Sequence, residues 1–276
     1  MESIIHLLTV VFVQPLLNLL FLIYGVIPGH SFGIAVIILT AIIRFALWPL
    51  TAKQLHGQKK MQELAPDIAK VKQQSKGDKQ KESQMLMELY KEKEISPFSA
   101  CLPALLQFPF LIALYFVFQK STHDVQALSG LLYAPIKSLP FIQSIIQNPS
   151  SFTPSLFGWI NMATPSIPLA LFAGITQYIQ VKMLAPKKVP GSKDPQAQAT
   201  QMMNYTFPLL TVFIAWRLPA ALPLYWSVTN LISIGQQYII MREEVEEMEE
   251  VKIVSKKTST KALPKTKKQK AKKKKG

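Results

Sequence analysis

The sequence predicts an all-α polytopic membrane protein with five spans, a cytoplasmic helical hairpin and an N-terminal amphipathic helix on the outer surface. Three observations carry this. Of 276 residues, 49% are hydrophobic and only 17% charged. The charges sit in blocks separated by charge-poor runs of about 20 residues, the length a helix needs to cross a bilayer's hydrocarbon core. Lysine-rich blocks also alternate with lysine-poor connections, as they do when one side of a membrane keeps the cationic loops.

The N-terminal stretch, 1–30, begins "MESIIHLLTVVFVQPLLNLL". It has no basic region ahead of its apolar part, so no cleavable targeting segment is expected. Ile4–Ile27 is charge-free and long enough to cross, which would give six spans and an inside N-terminus. Against this, no Lys or Arg holds Met1 and Glu2 inside, and Gln14, Pro15 and Asn18 interrupt the run. These favour a helix lying on the outer surface.

The five spans occupy 31–52, 97–120, 155–183, 202–217 and 218–242. They are built on the charge-poor segments Ser31–Leu50, Ser99–Gln119, Phe157–Val181, Met202–Trp216 and Leu218–Met241. Pro103, Pro109, Pro168, Pro208 and Pro223 fall within or beside them, which membrane helices tolerate when neighbours re-satisfy the freed backbone. "RLPAALP" joins the short fourth span to the fifth, so these two read as a hairpin.

Lysine bias orients the spans. Lys53–Glu94 holds 10 lysines and 7 acids, Lys182–Asp194 four lysines and one acid, and Lys256–Gly276 11 lysines and no acid. These share the cytoplasm. The connection 121–154 is extracytoplasmic and 184–201 is a cytoplasmic loop, so the N-terminus lies outside and the C-terminus inside. Trp48, Trp159 and Trp216 fall near span ends, where aromatic belts sit.

Within 53–96, "MQELAPDIAKVKQQ" and "KESQMLMELYKEKE" each favour a helix, and "SKGDKQ" between them is a turn broken by Gly77. The hairpin is either a solvated connector or a docking element. The tail, 243–276, opens with "REEVEEMEE", which continues the last helix, and is expected to be disordered from about 251. Its "KKQKAKKKKG" end suits either anionic headgroups or ribosomal RNA.

One residue breaks the apolar pattern. Arg44 lies seven residues before Thr51, about 10 Å of helix from the cytoplasmic end. Burying it costs at least about 2.5–3.5 kcal/mol, so such arginines face a cavity or a partner. Between Ile95 and Arg242 the only acids are Asp124 and Asp194, both in loops. Snorkelling to the interface is one resolution; a hydrated recess open to the cytoplasm is the other. Polar residues on other spans could line it. On the last span Trp226, Asn230, Ser233 and Gln237 share one helical stripe, with Thr229 and Gln236 beside it. The third span adds Thr176, Gln177 and Gln180, the second Gln107, and the first Thr40, one turn from Arg44.

The same inventory excludes several functions. A proton- or cation-coupled carrier needs intramembrane Asp, Glu or His, and His6, His30, His56 and His123 all lie outside the five spans. No P-loop "GxxxxGK[ST]" occurs, and one cysteine, Cys101, permits no internal disulfide. No cofactor, metal site or enzymatic chemistry is expected. The set that remains suits recognition of something anionic or polar entering from the cytoplasm: an acidic segment of a nascent membrane protein or, alternatively, a small anion in a channel or carrier.

From about Gln14 to Arg242 the chain resembles the YidC-type membrane protein insertases. The resemblance runs in order through "QPLLNLL", "SFGIAVIILTAIIRFALWPLTAKQ", "MQELAPDIAKVKQQSKGDKQKESQMLMELYKEKEISPFSACLPALLQFPFLIALYF", "GITQYIQVKM" and "QMMNYTFPLLTVFIAWRLPAALPLYWSVTNLISIGQQYIIMR", and ends in the basic tail. The spacing of the arginine, "PLT", the charged hairpin and "PALLQFPFLIALY" carries most of it. The resemblance implies a five-span insertase core in a bacterial plasma membrane, with Arg44 as the groove arginine. It implies an outer-surface N-terminal helix, a flexible hairpin important for activity, and a tail that aids ribosome contact. The form is a short one, without an extra first span or a large periplasmic domain. Its expected partners are nascent membrane proteins, the lipid bilayer, the ribosome and, as a further option, a Sec-type translocon.

Overall fold

The computed structural model describes residues 6–93, 111–119, 128–185 and 195–261. It divides into two compact units, Met1–Gln237 and Tyr238–Gly276. The described residues are mostly helical, with one small β-ribbon.

A π-helical turn, Thr9–Val13, leads into α1 (Gln14–Val26), with Pro15 in the first turn where its missing N–H costs nothing. The continuous helical stretch His6–Val26 is long and apolar enough to cross a membrane. One face of α1 is buried through Leu16, Leu17, Leu20, Phe21 and Tyr24. Asn18, on that same face, is also buried. Its Nδ2 donates to Gln14 O at 2.7 Å and Leu131 O at 3.0 Å, and its Oδ1 accepts from Tyr133 N at 2.7 Å. The residue that looks like an interruption of the apolar run is an anchor for the connection beyond residue 128.

The first expected span, Ser31–Leu50, is two helices. α2 (Phe32–Ala46) ends at Leu47, and α3 (Trp48–Glu63) leaves it at a bend of 67°. Pro49 supplies the cause: it has no N–H to give Phe45, and its ring collides with that carbonyl. The rings of Phe45 and Trp48 stack across the bend, 5.9 Å apart and 4° from parallel.

The hairpin differs from its expected form in the same way. "MQELAPDIAKVKQQ" is interrupted at Leu64, because Pro66 opens a new helix, α4 (Ala65–Ser75). Lys76 and Gly77 then take left-handed conformations, φ 51° and 90°. Asp78 caps α5 (Lys79–Glu92) by accepting from Gln80 N and Lys81 N. On α4 the Lys70 ammonium hydrogen-bonds Asp67 at 2.7 Å and holds that carboxyl below its usual range.

The expected third span, Phe157–Val181, is helical only from Ile167. Ser155–Leu156 (β1) and Ile160–Asn161 (β2) pair antiparallel around a turn in which Phe157 and Gly158 have φ 54° and 75°. Two left-handed residues in a two-residue loop match the right-handed twist of a hairpin, and glycine admits the second. Between α5 and β1 lie the helical stretch 111–119, which we call α6, then α7 (Ala134–Lys137) and α8 (Pro140–Gln147). Next come α9 (Ile167–Leu184), α10 (Pro195–Ala215) and α11 (Ala221–Lys261). The last of these runs on past residue 251 to Lys261, extending a helix that is already nucleated.

A further departure concerns the fourth and fifth spans. Among the described residues α10 packs along α9 rather than pairing with α11. Gly174 of α9 lets the chains approach: Pro208 O lies 3.3 Å from where a Cβ would stand. The start of α11 is drawn elsewhere, because Ala220 N donates to Thr164 O at 3.0 Å and Ala221 N to Met162 O at 3.2 Å.

The core gathers α1, the first half of α2, α6, α8, the β-ribbon and the first turn of α11. Phe21, Tyr24 and Phe32 surround Phe152, with ring centroids 5.5 to 6.0 Å from it. Gly33 seats α2 on β1: a Cβ there would lie 2.5 Å from Leu156 Cβ and 3.0 Å from its Cα. Overpacking of this kind costs about 1–3 kcal/mol. Gly33→Val is therefore expected to lower the melting temperature of detergent-solubilised protein by several degrees, read by circular dichroism; an unchanged midpoint would show that the ribbon moves freely.

Outward, Leu171, Phe172, Ile175 and Ile179 of α9 and Leu209, Phe213 and Ile214 of α10 are exposed. Contiguous apolar surface on this scale calls for an apolar surrounding medium or partner.

Candidate functional site

α2 and α11 share a change of character along their length. α2 buries Phe32, Ala35, Val36 and Leu39, and then Thr40. α11 buries Ala221, Leu222, Leu224 and Tyr225, and then Thr229, Asn230, Ser233, Gln236 and Gln237. On both helices the buried face passes from apolar to polar residues. The helical period produces this, because Thr40 and Arg44, or Asn230, Ser233 and Gln237, recur on one face.

Arg44 lies in the last turn of α2, not two turns from the helix end, since the break at Leu47 shortens the helix. There the free carbonyls at the helix C-terminus offset part of its charge, an effect that placement inside a longer helix hides. The side chain is half-buried. Among the described residues no carboxylate pairs with it, and Tyr225 of α11 lies nearby.

The other expected residues fall into several groups. Thr176 of α9 and Asn230 of α11 meet directly: Asn230 Nδ2 donates to Thr176 Oγ1 at 3.1 Å and reaches Ala173 O at 3.4 Å. The Thr176 hydroxyl can in turn donate to Phe172 O or Ala173 O, each at 3.0 Å. Thr40 turns its hydroxyl back to Val36 O at 2.6 Å, which is local helix bonding. Gln177, Gln180 and Trp226 are half-buried and Ser233 is buried. Gln107 lies outside the described residues.

Thr229 Oγ1 and both amide atoms of Gln237 are buried with no hydrogen-bond partner. Buried polar atoms are almost always paired with protein or ordered water. Buried polar atoms without protein partners are suited to water and to a polar guest.

Four further residues belong with this set. Tyr225 precedes the stripe and lies near Arg44. Gln236 Nε2 donates to Thr51 Oγ1 at 3.3 Å, joining α11 to α3. Gln54 is buried with Nε2 unpaired, and Gln58 has its Oε1 buried and unpaired. Thr51, Gln54 and Gln58 repeat at i, i+3 and i+7, a signal present in the sequence but masked by the lysines around it. A separate cleft of about 360 Å³ follows α5, lined by Lys79, Glu82, Ser83, Leu86, Met87 and Tyr90, and holds none of these groups.

Outward apolar helices around a polar cluster define a helical membrane protein with a buried hydrophilic site. The chain belongs to the family described as the 60Kd inner membrane protein, whose model matches residues 22–248. It is similar to the membrane protein insertase YidC of Clostridium tetani, 36% identical over 79% of this chain and 84% of that one. Its likeness to YidC of Fusobacterium nucleatum is close behind, 34% identical over 77% of this chain and 87% of that one. With YidC of Saccharophagus degradans it is 35% identical over 83% of its length, but spans only 35% of that longer chain. Its fold is similar to that of a crystal structure of an active YidC insertase with the first transmembrane domain resolved, at TM-score 0.50 and 22% identity, over 75% of this chain and 41% of the other.

Proposed function

We propose that the chain is a membrane protein insertase that works without nucleotide, cofactor or covalent step. A client's hydrophilic tail enters the polar cluster from the cytoplasm. Arg44 attracts its acidic residue while Thr176, Asn230, Thr229 and Gln237 solvate its backbone. The distance over which polar groups cross hydrocarbon shortens accordingly. The client's apolar helix partitions into lipid beside α9 and α11, driven by burial at roughly 25 cal/mol per Å². The membrane potential favours outward movement of an acidic tail. The five-span topology, the outside N-terminus and the plasma-membrane location belong to this reading, as do the basic tail's contact with the ribosome and any cooperation with a Sec-type translocon.

The observation that carries it is Arg44, half-buried and without a carboxylate partner among the described residues, on a chain in which Thr229 Oγ1 and both amide atoms of Gln237 are buried and unpaired. Membership in the family supports it independently. The test is reconstitution of the purified chain into liposomes with a freshly synthesised single-span client bearing a short acidic tail. Protease-protected client should exceed that in protein-free liposomes several-fold. Equal protection with and without the protein, together with passage of a small anionic dye, would replace the reading with an anion channel.

A further inference from the structure

We propose that Gln54, Gln58 and Gln237 form an amide mouth that hydrogen-bonds the main chain of the entering client segment, whatever charge its side chains carry. This rests on the insertase reading and assigns the groups of that site that take the client's backbone.

Three facts place these residues together. Gln54 and Gln58 are four apart on α3 and share a face with Thr51. Gln236 Nε2 reaches Thr51 Oγ1 at 3.3 Å, which ties that face to α11 beside Gln237. All three amides keep unused capacity: Gln54 Nε2, Gln58 Oε1, and both Nε2 and Oε1 of Gln237 are buried and unpaired. Gln54 is 8% exposed and Gln237 1%, so bulk solvent is not a ready partner for either.

The chemistry completes what Arg44 cannot do. A guanidinium has five donors and no acceptor. It satisfies carboxylates and carbonyls of a guest but none of its N–H groups. An extended peptide presents one N–H and one C=O per residue, and both need partners once the segment leaves bulk water. A side-chain amide offers one acceptor and one donor site in the same spacing as a peptide group. The mouth supplies the acceptors, Oε1 of Gln58 and Gln237, that a cationic groove lacks. In the proposed topology α3 lies on the cytoplasmic side of the bend after Arg44, so the client's backbone meets these amides before its charge meets the arginine.

The test uses the full chain in liposomes and two single-span clients identical except that Asp in the tail of one is Asn in the other. Gln54→Leu and Gln237→Leu should each lower the insertion rate about tenfold for both clients alike. Arg44→Ala should lower it for the Asp client only. Because leucine removes an unpaired buried amide, the melting temperature of each Gln variant should stay level or rise. A photo-crosslinking amino acid at position 54 should also capture the tail of a stalled client. The proposal is overturned if the Gln variants insert at the wild-type rate, if their loss is confined to the Asp client, if insertion and melting temperature fall together, or if position 54 captures no client. Should wild type insert neither client, the insertase reading itself fails and takes this assignment with it.

Discussion

Arg44→Ala is expected to slow insertion of an acidic-tailed client by roughly 30-fold, while Arg44→Lys falls between the two. The size follows from the charge. A unit pair at 4 Å in a site of effective dielectric about 20 attracts by about 4 kcal/mol. Water in the groove and the cost of stripping the client's carboxylate take back part of this, leaving about 2 kcal/mol, or the stated factor. Lysine keeps the charge but loses the planar fork that holds a carboxylate at two points. The effect should shrink as salt is raised, because a solvated pair is screened. The measurement is the initial rate of protease protection at two ionic strengths. A loss equal for acidic and neutral clients would show that Arg44 holds the site's shape rather than reading charge. The absence of a carboxylate partner among the described residues argues for charge reading.

What the sequence showed of this site depended on whether one helix carried the signal. The stripe Trp226, Asn230, Ser233 and Gln237 was legible because a single unbroken helix presents it, and all but Trp226 are buried. Arg44 was legible because nothing else within its apolar run is charged. The depth of Arg44 was not. Pro49 lies so close to the expected span end that it looked like an ordinary boundary, whereas it breaks the helix at Leu47 and tilts α3 by 67°. The same applies to Pro66 within the hairpin. Ser155–Asn161 is apolar enough to pass for the start of a span; only Gly158 after Phe157 hinted at a two-residue turn, and the pairing of Leu156 with Ile160 is a matter of tertiary packing. Gln54 and Gln58 stand among lysines, so hydropathy assigned them to water. Their burial depends on where the bend sends α3, which no local pattern encodes. The partner of α10 was misjudged for a like reason: a short connection suggested α11, but the hydrogen bonds of Ala220 and Ala221 to Thr164 and Met162 redirect the chain.

Asn18→Leu is expected to be the most damaging single change to stability. In the apolar run of α1, asparagine looks like a defect that leucine would repair. The structure reverses this. The side chain is 3% exposed and makes both of its long-range bonds to the backbone at Leu131 and Tyr133. Leucine has the same branched heavy-atom skeleton, so the shape is kept while the Leu131 C=O and Tyr133 N–H lose their partner in a part-buried place. An abandoned backbone group costs about 1–3 kcal/mol, so the pair should cost about 2–4 kcal/mol. Thermal unfolding in detergent should fall by roughly 5–10 °C, given about 2–4 °C per kcal/mol for a chain of this size. Asn18→Asp keeps the acceptor for Tyr133 N–H but sets a buried carboxylate against Leu131 O and Gln14 O, and should not restore stability. Insertion measured well below the melting range should be nearly unchanged in both, since Asn18 touches none of the polar groups around Arg44. The outcome also bears on how α1 is held. A helix merely resting on the outer surface would bind lipid better as Asn18→Leu and lose no stability. A fall in melting temperature with insertion intact would instead show α1 docked by its one polar residue to the connection that follows residue 128, an arrangement in which the apolar core is closed at one end so that the polar site can stay open at the other.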